Sequence, residues 1–198
     1  MQKIDLRNYP PEGFHWLHEP ASCKAGEHLL IRTLPDTDLW QRTHYGFKRD
    51  NGHCLLTSIQ GDFAMEADLE YEPNQLYDQC GIIIRVNEEN WIKASVEYEN
   101  EDYSRLGSVV TNLGYSDWAT TDISSASRKM SYRISRRGHD FLIEQSYEGT
   151  VWHQMRIAHL HHAQDSLLAG IYAASPQGSG FECRVTRVAF GKNTWLPE

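Results

Sequence analysis

Residues 78–98, DQCGIIIRVNEENWIKASVEY, decide how this chain folds. Gly81 to Val86 holds three consecutive isoleucines, a β-branched composition suited to a pleated, buried surface. Asn87-Glu88-Glu89-Asn90 then supplies a tight polar turn, because asparagine tolerates the backbone angles of hairpin loops. From Trp91 the residues alternate: Trp91, Lys93, Ser95 and Glu97 point one way, and Ile92, Ala94, Val96 and Tyr98 the other. The segment is a β-hairpin with one face turned to a core. Its opposite face carries Arg85, Lys93 and Glu97 beside the Trp91 indole.

The same pattern continues outward. Upstream, Phe63, Met65, Ala67, Leu69 and Tyr71 alternate with Glu66, Asp68 and Glu70, between the breakers Gly61-Asp62 and Pro73-Asn74. Earlier still, Glu27–Thr33 reads as a strand. The aromatic stretch Leu39–Phe47 is expected to turn at Asn51-Gly52, a strong hairpin signal, into a returning strand His53–Ile59. Downstream, strands are expected at Leu106–Leu113, Met130–Arg136, Phe141–Tyr147, Trp152–Ala158, Leu168–Ala174 and Phe181–Phe190. Gly114 to Trp118 reads as a polar-aromatic loop. No segment sustains a helical period, although Ile123–Lys129 and Ala163–Leu168 have room for a turn or two. Roughly ten or more short strands with Gly and Pro punctuation predict an all-β sandwich or jelly roll of two antiparallel sheets. Residues 1–198 are expected to form one such domain.

Composition narrows the partners. The chain is 40 % hydrophobic and 23 % charged, ordinary values for a globular protein, with a formal net charge of −8. That balance, without any basic run, argues against nucleic acid. No apolar stretch approaches the ~18 residues of a membrane span, and the first residues lack the apolar region of a signal peptide. Cys23, Cys54, Cys80 and Cys183 are scattered without CxxC spacing. They are expected to be free thiols in a cytoplasmic protein. His153, His159, His161 and His162 match no ligand motif, and neither a metal nor another cofactor is implied. Ser175 lies in SPQGSG, which is not a nucleophile elbow.

Taken in order, TDLWQRTHYGF, the 78–98 hairpin, LGSVVTNLGYSDW, YRISRRGHDFLIEQSYEGTVWHQMRIAHL and GIYAASPQGSGFECRV resemble family 1349 of the domains of unknown function. The resemblance covers nearly the whole chain. It implies a concanavalin A-like sandwich with one concave sheet, and its fungal members are known as regulators of enolase. It implies no catalytic residues. A looser similarity joins the hairpin to the C-terminal sandwich of some β-xylosidases, which is an association with carbohydrate chemistry and no more.

Three groups of residues are candidates for chemistry. Glu66-Ala67-Asp68-Leu69-Glu70 sets three carboxylates on one strand face at ~7 Å intervals. Laminarinase-type hydrolases of the same superfamily use an E-x-D-x-E run for retaining catalysis, in which two carboxyls flank the bond ~5–5.5 Å apart. Those enzymes carry branched apolar residues where this chain has Ala67, and a half-solvated strand produces the same alternation. Arg85, Trp91, Lys93 and Glu97 form the second group: either a polar ligand platform with a stacking ring, or a cross-strand ion-pair ladder. Tyr115, Asp117 and Trp118 form the third, as ligand-recognising residues or as a cap on the sandwich edge. Trp40, Thr43, His44 and Tyr45 pose the same choice.

The expected function is a non-catalytic binding module for a carbohydrate or other small polar ligand on a concave sheet face. Its ligand-binding residues would be Glu66, Arg85, Trp91, Lys93 and Glu97 on that face, with Tyr115, Asp117 and Trp118 at the rim. The alternatives are a glycoside hydrolase using Glu66, Asp68 and Glu70, or a regulatory sandwich that binds another protein.

Overall fold

The computed structural model describes residues 1–193 and 195, and no helix occurs among them. Six strands, most of them short, come first: β1 (Gln2–Lys3), β2 (Phe14–Leu17), β3 (Ser22–Lys24), β4 (Leu29–Arg32), β5 (Leu39–Gln41) and β6 (Lys48–Asp50). Longer ones follow: β7 (His53–Gln60), β8 (Ala64–Glu72), β9 (Gln79–Asn87), β10 (Asn90–Tyr98), β11 (Tyr103–Asn112) and β12 (Tyr115–Ser124). The chain closes with β13 (Lys129–Arg137), β14 (Asp140–Ser146), β15 (His153–His159), β16 (Ser166–Ala174) and β17 (Glu182–Gly191).

Two large sheets result. The first runs β15-β14-β13-β8-β17-β4-β3, with β1 beside β17, and the second runs β12-β11-β10-β9-β16-β7-β2. Every pairing among the described residues is antiparallel. The expected β-sandwich is therefore what forms. Between the sheets, Met65, Ala67, Leu69 and Tyr71 of β8 join Ile82, Ile84, Ile92, Ala94 and Val96 of β9 and β10 in one buried cluster. Each fully buried Leu, Ile, Val or Met side chain there stabilises the fold by about 1.5–3 kcal/mol. β9 packs tightly against its neighbour at Gly81, where a Cβ would fall 1.9 Å from the Ala94 carbonyl oxygen.

Three expectations are corrected. Tyr115 to Trp118 is no loop; it opens β12, after a two-residue turn in which Leu113 (φ 53°) and Gly114 (φ 73°) are both left-handed. That is the turn whose twist suits an antiparallel hairpin. Asn51-Gly52 makes no hairpin, because neither residue has the positive φ such a turn needs. Their amides instead donate to the Asp38 carbonyl, at 3.1 and 2.9 Å, and β5 turns back at residues 42–47 to pair with β6. β7 then enters the second sheet between β16 and β2. Neither candidate helical turn exists: Ile123 lies in β12, and residues 163–165 are irregular before β16 begins.

Candidate functional site

The short β5–β6 hairpin makes the site, because it lies over the outward face of the second sheet. Leu39 and Trp40 from the hairpin form a second apolar cluster with Leu56, Ile83, Trp91, Val109 and Tyr172. Arg85 on β9 clamps it from below, with two guanidinium nitrogens each 2.6 Å from an oxygen of Asp50 on β6. Such a bidentate, largely buried pair is strong and directional. At the other end Arg42 donates to the Gly114 carbonyl at 2.7 Å and to Glu89 at 3.2 Å. The Trp40 indole donates to the Thr43 carbonyl at 2.9 Å, closing the turn on itself. The hairpin is a fixed lid.

Between the lid and the sheet lies a cleft of about 350 Å³. Gln79, Lys93 and Glu97 form its floor, and Trp40, Tyr45, Phe47, Tyr77 and Trp118 its walls. Asp36, Asp38, Arg49, Pro176 and Gln177 complete the lining. On the floor, Lys93 Nζ donates to Gln79 Oε1 at 2.5 Å and sits 3.4 Å from Glu97 Oε1. The Tyr172 hydroxyl donates to the same Gln79 oxygen at 3.1 Å, and Lys93 Nζ lies 5.5 Å from the Tyr172 ring centroid. Burial raises the Glu97 pKa; Lys93 opposes the shift, and the Asp38 carboxylate adds to it. Trp40 meets Trp118 edge to face at 6.4 Å, and Tyr45 packs against Trp40 at 5.5 Å.

The loops around the cleft are set by buried polar contacts. His53 accepts from the Leu34 amide through Nε2 and donates to the His18 carbonyl through Nδ1, both at 3.0 Å. Burial lowers its pKa, which favours this neutral form. Ser175 anchors the far side: its amide donates to Thr37 Oγ1 at 2.9 Å, and its hydroxyl donates to Asp78 Oδ1 at 2.5 Å. Asp78 Oδ2 in turn accepts from the Asn74 and Gln75 amides. Ser175 thus ties the Asp36–Asp38 loop to the turn that carries Tyr77.

The predicted site residues divide. Lys93, Glu97 and Trp118 come together in the cleft. Tyr115 and Asp117 line an adjoining cleft that shares Trp40, Tyr45 and Trp118 with the first. Trp91 is fully buried under the lid, its indole donating to the Glu88 carbonyl at 3.1 Å, so it offers no stacking surface. Arg85 holds the lid and does not line the cleft.

Glu66 is on the wrong side of the molecule. β8 belongs to the first sheet, and Glu66 points away from the core there, so a whole sandwich separates it from Lys93. Both of its carboxylate oxygens are occupied, one by Arg133 at 3.1 Å and the other by Arg187 at 2.5 Å. Glu70 pairs with Arg184 at 3.1 Å, and Asp68 lies 3.7 Å from Arg187. A depression of about 450 Å³ does open beside Asp68, but none of its lining residues is aromatic.

Sequence reasoning missed Asp36, Asp38, Phe47, Arg49, Tyr77 and Gln79. The aromatic density of residues 39–47 was the available signal for Phe47. The others reach the cleft only through the path of the lid and its loops. Among the described residues, no group of His, Cys, Asp and Glu could hold a metal ion.

Known proteins share this arrangement of sheets. A functionally unknown protein from Saccharomyces cerevisiae superposes with a TM-score of 0.86 at 28 % identity, over 92 % of this chain and 98 % of that one. A xylan β-1,4-xylosidase from Bacillus halodurans matches with a TM-score of 0.72 at 14 % identity, covering 97 % of this chain but only 39 % of the enzyme. At that identity the likeness is one of fold. In sequence, Regulation of enolase protein 1 of Saccharomyces cerevisiae is 32 % identical over 169 residues, which span 84 % of this chain and 83 % of the yeast protein. The family described as "Protein of unknown function (DUF1349)" matches residues 16–193, nearly the whole sandwich and all of its lid, and the chain belongs to that family.

Proposed function

We propose that this protein is a non-catalytic binding module whose lidded cleft takes a small saccharide or similar polar ligand. The observation that carries this reading is the Lys93–Glu97 pair, almost dry at the base of a cleft walled by Trp40 and Trp118. Sugars present hydroxyls that bridge such charged groups, and an apolar C–H face that an aromatic ring covers. The cleft is preformed, because both ends of the lid are clamped, and preorganisation lowers the cost of binding. A hydrolase built on Glu66 and Glu70 has less to support it. Glu66 is held between two arginines and Glu70 by a third, which suits neither a free nucleophile nor a proton donor.

Calorimetry against a panel of neutral and acidic saccharides is the test. Binding that is lost in Trp118→Ala supports the module, whereas hydrolysis of a β-glucan that disappears in Glu66→Gln would replace it with the enzyme. A second reading has its own support, in the name of the yeast relative and in the exposure of Tyr45, Phe47 and Tyr115 (49, 42 and 62 %). On that reading the cleft receives a loop of a protein partner. It takes over if no sugar binds at millimolar concentration and a pull-down recovers one stoichiometric protein. The same proposal places the protein in the cytoplasm, where four thiols without a disulfide are at home.

A further inference from the structure

The cleft over Lys93 has a neighbour. A second cleft of about 510 Å³ lies on the other side of the Trp40–Trp118 pair, lined by Thr43, His44, Tyr115, Ser116 and Asp117. Trp40, Tyr45 and Trp118 line both. The two indoles line both clefts and meet nearly at right angles, at 81°, so the pair is the boundary between the clefts, here called the ridge. Taken singly, each cleft has the size of a modest small-ligand site, ~300–1,000 Å³. Like the first, the second sets an aromatic ring beside a carboxylate, here the exposed Tyr115 and Asp117, and adds the Thr43 side chain.

Two clefts that share one pair of indoles have a geometric meaning. A compact ligand would fill one cleft and leave the other to solvent. A ligand of repeating units would place one unit on each side and cross the ridge with its linkage. The second cleft is also held open. Arg42 lies 5.5 Å from the Tyr115 ring centroid while fixed to the Gly114 carbonyl, and Arg156 sits 3.2 Å from Asp117 Oδ1. Ser116 is buried and accepts from the Gln41 amide at 2.9 Å, which sets the floor beneath the turn.

We infer that the ligand is a linear oligosaccharide of two or more units lying across the Trp40–Trp118 ridge, with one unit over Lys93 and Glu97 and the next against Tyr115 and Asp117. The inference rests on the saccharide reading above and adds to it a chain length, a second subsite and the residues that form it.

The experiment measures affinity as a function of length. Xylose, xylobiose, xylotriose and xylotetraose, and glucose with the matching β-1,4-linked series, are titrated into the intact protein by calorimetry. The expected result is a rise of at least tenfold from the monosaccharide to the trisaccharide in one series. Tyr115→Ala is expected to lower trisaccharide affinity about tenfold, towards the monosaccharide value. Its side chain is 62 % exposed, so the variant should fold. Glu70→Gln, on the opposite sheet, should change neither affinity. Measurable monosaccharide binding with no gain from length would overturn the two-unit inference and leave the saccharide reading standing. So would a length gain that survives Tyr115→Ala. Absence of binding by every member of both series would overturn the two-unit inference, and the saccharide reading falls with it if the wider panel of neutral and acidic saccharides also fails to bind.

Discussion

The two outward faces of this sandwich carry the same kind of sequence and meet opposite fates. On β8, Glu66, Asp68 and Glu70 alternate with core residues; on β10, Trp91, Lys93, Ser95 and Glu97 do the same. The β8 face carries no lid: Arg133 and Arg187 from neighbouring strands cover Glu66, leaving its side chain 11 % exposed, while Glu70, paired with Arg184, remains 46 % exposed. The β10 face is roofed by the β5–β6 lid, leaving the Lys93 side chain 2 % exposed and that of Glu97 9 %. Alternation says which way a side chain points. It does not say what will cover it there. A charge pair worth little on an exposed sheet becomes, under a roof, a structural requirement.

That contrast breaks most visibly at Lys93. Lys93→Ala should leave Glu97 and the Gln79 carbonyl oxygen buried without their cation, at a cost of about 3–5 kcal/mol in urea denaturation. Lys93→Ala is therefore a stability variant, and a loss of binding in it would not by itself locate a ligand. Its partner adds a pH signature. The raised pKa of Glu97 means the folded state binds its proton more tightly than the unfolded chain does. Its contribution to stability is then greatest below the unfolded value of ~4.3 and falls as pH rises through the folded pKa. The stability of the wild type relative to Glu97→Gln should accordingly decline as pH rises above ~4.3. An increase across that range would contradict the burial argument.

Next in size is the clamp. Asp50 is already 23 % exposed beside Arg85, so the loss in Arg85→Ala should be smaller, about 2–3 kcal/mol. Hydrogen exchange should show it as loosening of residues 39–50, with the core of the first sheet unchanged. Trp118→Ala removes a half-buried ring packed on the lid cluster; it should cost less stability than the clamp and about 1–3 kcal/mol of saccharide binding in calorimetry. The smallest effect belongs to the open face. Glu70→Gln removes an ion pair whose side chains are 45 and 46 % exposed, and should shift stability by about 0.5 kcal/mol or less.

The strands were legible because they are local. Period-2 alternation at 63–71 and 91–98, and the β-branched run at 82–84, need only the sequence of one strand to be read. The faces of β10 were assigned correctly: Ile92, Ala94 and Val96 lie in the main core, and Trp91 in the cluster on the other side. Asn51-Gly52 misled because its usual turn needs left-handed residues. Here both amides are drawn to the Asp38 carbonyl, and the reversal moves to Arg42, His44 and Gly46, which have positive φ. With the lid misplaced, Trp91 looked exposed and Arg85 looked available. Glu66 was grouped with Lys93 because one-dimensional alternation cannot tell which of two sheets a strand will join. Sheet membership is a matter of long-range pairing. Asp36, Asp38 and Tyr77 enter the site through the tertiary contacts of Ser175 and His53, which no local pattern encodes.

Chemical-shift mapping by two-dimensional NMR, with xylotriose titrated into isotope-labelled protein, tests the central claim most directly. If the lidded cleft is the binding site, shifts should concentrate on the Trp40 and Trp118 indoles, Tyr45 and the strand from Lys93 to Glu97. Residues 66–70 on the opposite sheet should stay where they are. Shifts centred on Glu66, Arg133 and Arg187, with the lid signals unmoved, would contradict the account.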